Sequence, residues 1–79
     1  MMALRKSNRM SGAQYKKALK QLALTQARAA VLLHSDERTS RRWANDERDI
    51  PGPVARFLRY LIATNVTGDY AIKKLEGSS

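Results

Sequence analysis

The chain has 79 residues, and its 15 Lys and Arg against seven Asp and Glu give a formal net charge of +8 at pH 7. A domain of this length buries only about 60% of the surface that its unfolded chain exposes, which excludes a second domain, a deep cleft and an elaborate active site. The absence of Cys excludes a disulfide framework, a thiolate nucleophile and a Cys-based zinc site. We therefore expect a small basic globular domain of the cytoplasm.

The positive charge is concentrated in the first third of the chain. Residues 1–30 carry seven cations and no acid, whereas residues 31–50 have a net charge of −1 and residues 51–79 of +2. Such a basic segment attracts a polyanion, either nucleic acid or an anionic membrane surface. The longest apolar run, residues 29–33, is too short to span a bilayer, and the N-terminus lacks the apolar region of a signal peptide. We expect no membrane partner.

Long stretches without Gly or Pro predict helices, and no alternating strand pattern occurs. The first predicted helix begins after an N-cap at Ser11 and runs to about residue 23. Its apolar positions recur at i, i+3, i+4 and i+7, which places them on one face for burial. These positions are Tyr15, Ala18, Leu19 and Leu22.

Two short helices separated by a tight turn come next. Thr25 is the N-cap candidate of a helix that ends near residue 33, and Leu24 before it can pack on Ala29 as a hydrophobic staple. Asp36 is the N-cap candidate of a helix that runs to about residue 45, and its carboxylate favours the positive end of the helix dipole. This arrangement is the skeleton of a helix-turn-helix.

The last third predicts one longer helix and a short terminal one. Pro53 suits the first turn of a fourth helix, and residues 69–75 predict a fifth helical piece. The buried stripe of the fourth helix comprises Val54, Phe57, Leu58, Leu61 and Ile62. The predicted fold is an all-α compact bundle of four to five short helices. Its parts are a basic arm over residues 1–10, a helix-turn-helix domain over 11–65 and a short helix or tail over 66–79.

The helix-turn-helix segment carries several specific residues. Residues 24–43 open on Leu-Thr-Gln, have Leu33 before the turn and close on an Arg-Thr-x-x-Arg-Trp run. With residues 47–54, this pattern resembles the Cro/XRE-type helix-turn-helix family of phage repressors and bacterial regulators, over residues 12–64. The resemblance implies a lambda-repressor-like domain that binds double-stranded DNA with sequence specificity, usually as a homodimer, and regulates transcription. The third predicted helix would enter the major groove.

Three positions depart from the family pattern. His34 stands where the family usually has Gly, and Ser35 and Ser40 stand where it usually has aliphatic residues. His tolerates a left-handed backbone better than most residues do, so the turn can form. Each Ser removes apolar burial worth about 1 to 3 kcal/mol, so we expect an under-filled core, for which Trp43 compensates in part. The domain is then modestly stable or is stabilised by a partner.

The third predicted helix has a cationic face. At about 100° per residue, Thr39, Ser40 and Trp43 lie on one side, and four polar residues share the other. These four are Arg38, Arg41, Arg42 and Asn45. An Arg fork matches the paired acceptors of guanine in the major groove, and a carboxylate can accept from the cytosine amino group. The candidate base-reading residues are Glu37, Arg38, Arg41 and Arg42.

A solvated surface is the other interpretation of this face. Its arginines would then form weak ion pairs with neighbouring acids. These acids are Asp36, Glu37, Asp46 and Asp49. We favour DNA because the face coincides with the reading face of the motif and because the acids lie at the helix ends.

Further residues are candidates for contacts with the DNA backbone. The resemblance implies that Gln26 donates to a phosphate, and an ordinary exposed Gln is the alternative. Other residues would contact phosphates or, for the lysines, attract DNA at long range. They are Arg28, Lys16, Lys17, Thr39, Asn45 and Arg48. Arg5, Lys6 and Arg9 suit an arm along the minor groove, or else a tail without specific contacts.

No catalytic or metal-binding arrangement can be assembled from these residues. His34 has no His or Cys neighbour at metal-ligand spacing, and no nucleophile with an adjacent base occurs. We therefore expect no enzyme, no metal, no cofactor and no small-molecule substrate. Tyr15, Trp43 and Phe57 lie on apolar stripes and are predicted to be core residues rather than stacking platforms.

A protein-interaction adaptor is the alternative function. An antitoxin-like or phage-encoded adaptor would keep the helical fold while its DNA-binding motif decayed, and Ser35 and Ser40 support this interpretation. A protein of the membrane surface is disfavoured because the apolar stripes are used in the core.

Overall fold

Five α-helices account for most of residues 10–77, the part of the chain that the computed structural model describes. They are α1 (Gly12–Gln21), α2 (Gln26–Leu33), α3 (Glu37–Ala44), α4 (Gly52–Ala63) and α5 (Gly68–Gly77). No strand occurs within these residues, which confirms the predicted all-α fold class. Helices α2 and α3 are the two short helices predicted on either side of the tight turn.

Side-chain caps begin the first three helices where the sequence predicts them. Ser11 Oγ accepts a hydrogen bond from the amide of Gln14 at 3.1 Å, and the Gln14 side chain accepts one from the Ser11 amide in return. Thr25 Oγ1 accepts from the amide of Arg28 at 3.1 Å, and Asp36 Oδ1 from that of Thr39 at 2.7 Å. Each cap therefore satisfies an amide that has no partner within its own helix.

The first four helices end in the same way, without glycine. Each is followed by a residue with a left-handed backbone, and the amide of the next residue donates to a carbonyl five positions back, as Leu24 does to Leu19 at 2.8 Å. The left-handed residues are Ala23, His34, Asp46 and Asn65, with φ between 57° and 61°. The prediction for His34 is confirmed. Helix α1 ends two residues earlier than expected because Ala23 adopts this conformation.

All five helices contribute residues to one buried core. The four stripe residues predicted for the first helix are buried, as are Leu58 and Leu61 of α4. The rings of Tyr15 and Trp43 pack edge to face, with their centroids 5.8 Å apart. Trp43 is 6% exposed, which confirms it as a core residue. The predicted stripe of α4 is only half-buried at its edges, where Val54, Phe57 and Ile62 pack against the core.

Two glycines allow close approach between helices. A Cβ at Gly12 would lie 2.4 Å from the carbonyl oxygen of Ala44, so this residue lets the start of α1 contact the end of α3. A Cβ at Gly68 would overlap the side chain of Leu24, and the Gly68 amide donates to the carbonyl of Leu22 at 2.9 Å. The first contact fixes the position of α3, and the second seats α5 against the link between α1 and α2.

Candidate nucleic-acid interface

Helix α3 separates a buried side from an exposed cationic side. Ser40, Trp43 and Ala44 are buried, whereas the predicted outer face is exposed. That face consists of Arg38, Arg41, Arg42 and Asn45. The division matches the helical periodicity, with Thr39 half-buried at the boundary.

The acids at the two ends of α3 bind backbone amides. Asp36 accepts from the Thr39 amide at its N-terminus, and Asp46 Oδ1 accepts from the amide of Gly12 at 2.7 Å. Hydrogen bonds from the side chain and the backbone of Thr39 lower the pKa of Asp36, and the charges of Arg38 and Arg42 act in the same direction. Both carboxylates therefore serve to hold α3 in place.

Among residues 10–77, Arg41 is the arginine of the outer face that forms an ion pair. Arg41 pairs with Glu37 one turn earlier, with side chains 64% and 42% exposed, so the pair contributes about 0.5 kcal/mol or less. Within residues 10–77, Arg38 and Arg42 form no hydrogen bond or ion pair with another side chain. Arg41 and Glu37 thus form a pair of the kind that the solvated-surface interpretation expects, whereas Arg38 and Arg42 have no such pair within residues 10–77.

A polar contact inside the motif was missed by the sequence analysis. Ser40 is fully buried, and its hydroxyl lies 2.6 Å from the Tyr15 hydroxyl and donates to Gln26 Oε1 at 2.6 Å. The expectation of a simple loss of packing at Ser40 is therefore incomplete, because two hydrogen bonds replace the apolar contacts of an aliphatic residue. The available signal was Tyr15, since a Tyr on a buried stripe needs a partner for its hydroxyl.

The remaining phosphate candidates do not form one cluster. Arg28 pairs with Asp69 of α5 at 3.3 Å, and it projects from α2 about 200° away from Gln26. Lys17 borders a notch between α1 and α4 that Arg59 and Ile62 also line. Arg28 thus contacts α5, and Lys17 borders α4.

Other candidates lie closer to α3 or outside the described part. Asn45 and Arg48 are exposed at and just beyond the C-terminal end of α3. Lys16 follows Gly12 by four residues, so it lies on the same side of α1 as Gly12. Helix α1 contacts the end of α3 at Gly12. Arg5, Lys6 and Arg9, the predicted minor-groove arm, lie outside the described residues.

An apolar groove lies away from this face, between α2 and α5. Its volume is about 490 Å³, and two of its lining residues, Val31 and Leu75, are about half exposed. Leu32, Ile72, His34 and Glu76 complete the lining.

Residues 10–77 hold no group of three or more His, Cys, Asp or Glu side chains that could bind a metal ion. Among the helices described, none combines the length and the apolar character needed to cross a membrane.

No protein-family model, curated protein or solved structure matches this chain.

Proposed function

We propose that this chain is a sequence-specific double-stranded DNA-binding protein, a small transcriptional regulator that inserts α3 into the major groove. One observation carries the proposal. Arg38 and Arg42 are exposed on the same side of α3 without ion-pair partners in the described chain, while Asp36 and Asp46 at the two ends of the helix bind backbone amides. A rigid helix with two available guanidinium forks suits the paired acceptors of guanine.

The residues of the interface have different roles in this proposal. Arg38 and Arg42 contact bases directly, whereas Glu37 and Arg41 contribute only after their own ion pair opens. Gln26 donates to a phosphate, and Asn45, Arg48 and Lys16 set the register of α3 through further phosphates. These last contacts are assigned from their position beside α3 and from the resemblance to Cro/XRE-type proteins.

The partners follow from the same resemblance. The protein binds double-stranded DNA as a homodimer, it has no catalytic role, and it needs no cofactor. Two copies related by a two-fold axis would read two half-sites about one helical turn apart.

Selection of bound duplexes from a random DNA library, at roughly physiological salt, tests the proposal. Non-specific phosphate binding is weak under these conditions, so an enriched motif reports contacts with bases. We expect a motif with two related half-sites. The absence of an enriched motif, with a folded protein, would overturn sequence-specific binding.

Two variants make this selection sharper. Arg42→Ala removes one charge from α3, and Arg56→Ala removes one charge from the exposed side of α4. We expect Arg42→Ala to lose base preference at some positions of the motif and Arg56→Ala to select the same motif as the wild type. An identical motif for all three proteins would remove Arg42 from the base-reading set.

A protein-binding adaptor is the second candidate function, and the groove between α2 and α5 favours it. The two functions differ in their response to DNA. A ligand that binds only the folded state raises the unfolding temperature by mass action, so a DNA-binding protein is stabilised by duplex DNA and an adaptor is not.

A further inference from the structure

A chain of hydrogen bonds joins the three helices that surround the interface. It runs from the hydroxyl of Tyr15 in α1, through Ser40 Oγ in α3, to Oε1 of Gln26 at the start of α2. Both links measure 2.6 Å, and Tyr15 and Ser40 are 0% exposed. The link between Tyr15 and Ser40 is buried, and the link between Ser40 and Gln26 is partly buried.

The direction of this hydrogen-bond chain follows from counting hydrogens. Ser40 has a single hydroxyl hydrogen, which it donates to Gln26, so Tyr15 donates to Ser40. Burial raises the pKa of Tyr15, which keeps its hydroxyl protonated and able to donate at neutral pH. The Ser40 hydroxyl, which donates to the side-chain oxygen of Gln26, is therefore itself fixed by a hydrogen bond from Tyr15.

The side-chain amide nitrogen of Gln26 has no hydrogen-bond partner among residues 10–77. The described residues contain no buried side-chain nitrogen or oxygen that lacks a partner, and none of them bonds to Gln26 Nε2. Since Gln26 is only half-buried, Nε2 reaches the surface with both of its hydrogens available.

We propose that Tyr15 and Ser40 are positioning residues that fix the Gln26 side chain, so that its amide nitrogen faces a DNA phosphate before DNA binds. This inference rests on the proposed function. A Gln side chain without these hydrogen bonds would lose its rotamer freedom only when DNA binds, and this loss of entropy would weaken binding. A side chain that is already fixed in the free protein avoids that cost. Ser40 thus gives orientation to a contact residue at a position where an aliphatic side chain would give only packing.

The first test needs no DNA. In the full-length ¹⁵N-labelled protein, the heteronuclear NOE of Gln26 Nε2 measures how far the side chain is fixed on the picosecond to nanosecond timescale. We expect a high value in the wild type, a fall in Ser40→Ala and a smaller fall in Tyr15→Phe. Ser35→Ala and Tyr60→Phe are matched controls and should leave the value unchanged. An equally mobile amide in the wild type and Ser40→Ala would overturn the inference.

The second test measures affinity for a mixed-sequence duplex of 20 base pairs. Ser40→Ala should weaken binding by about three- to tenfold, the effect of freeing one side chain, and Ser35→Ala should not. In a Gln26→Met background, Ser40→Ala should cause no further loss, because its effect passes through the amide. An equal loss in both backgrounds would show that Ser40 acts elsewhere and would overturn the inference.

Two controls keep these outcomes separate. Thermal unfolding of each variant shows whether Ser40→Ala is folded. If it is not, Tyr15→Phe replaces it in both tests, because the Phe ring keeps the packing against Trp43. A wild-type protein with a fixed Gln26 amide but no affinity for duplex DNA would overturn the proposed function while leaving the hydrogen-bond chain intact.

Discussion

The outer faces of α3 and α4 are both basic, yet they are built differently. Helix α4 contains Arg56 and Arg59 and no acid, whereas the arginines of α3 are flanked by acids at both ends. By charge alone, α4 is the more attractive surface for a polyanion. The comparison teaches that net charge alone does not single out α3, the helix that we propose contacts bases.

The difference lies in how firmly each helix is held. Helix α3 has an Asp36 cap at its start, and at its end Asp46 accepts from Gly12 in a contact between helices. Helix α4 begins at Pro51 without a side-chain cap. Base recognition needs side chains at fixed positions, and the hydrogen bonds of Asp36 and Asp46 at its two ends suit α3 to that role.

Removing the anchor of α3 should have the largest effect. Trp43→Ala deletes a buried aromatic side chain beneath the arginines, and we expect it to lower the free energy of unfolding by about 3 to 5 kcal/mol. Phe57→Ala, beneath the surface of α4, should cost less because Phe57 is only half-buried. Urea denaturation followed by far-UV circular dichroism checks both variants, since Trp43 is the only Trp. Equal losses would mean that the two helices are equally anchored.

Two glycine substitutions compare the contact between α1 and α3 with the start of α4. Gly12→Ala places a Cβ 2.4 Å from the Ala44 carbonyl oxygen, so we expect a loss of about 1 to 3 kcal/mol in stability. Gly52→Ala, at the start of α4, meets no atom within 4 Å and should change stability by about 0.5 kcal/mol or less. Thermal unfolding measures both, and a neutral Gly12→Ala would contradict the close contact between α1 and α3.

Single arginine substitutions test the comparison through binding. On a duplex with the selected motif, Arg38→Ala should cost about 1 to 3 kcal/mol and relax the preference at one base pair. Arg56→Ala removes the same charge and should cost clearly less, through long-range attraction only. Fluorescence anisotropy at two salt concentrations checks this prediction. An equal loss for both variants would reassign Arg38 to a non-specific role.

The smallest effect concerns the cap of α3 at low pH. The pKa of Asp36 is lowered from 3.8 in the folded chain, so its stabilisation is complete above that value and is lost as the pH falls through the lower folded-state pKa. Asp36→Asn keeps a cap acceptor without titrating. Unfolding temperatures measured from about pH 6 to pH 2 should therefore fall more steeply in the wild type than in Asp36→Asn. Parallel curves of unfolding temperature against pH for the two proteins would contradict the lowered pKa of Asp36.

The sequence predicted the local parts of the fold and of the candidate site well. Ser11, Thr25 and Asp36 were identified as caps because a capping side chain reaches an amide only three residues away. The buried stripes and the outer face of α3 followed from helical periodicity. The interpretation of Arg28 as a phosphate contact rested on charge alone, and it did not include the ion pair with Asp69.

What the sequence by itself determined is therefore the set of helices, their caps and the side of each that is buried, because these depend on neighbours within a turn or two. Only the tertiary structure decided which partners meet across helices. Tyr15 and Ser40 are 25 residues apart, Gly12 and Asp46 are 34 apart, and Arg28 and Asp69 are 41 apart. These contacts depend on the angles and distances at which the helices pack, which the periodicity of a single helix does not specify.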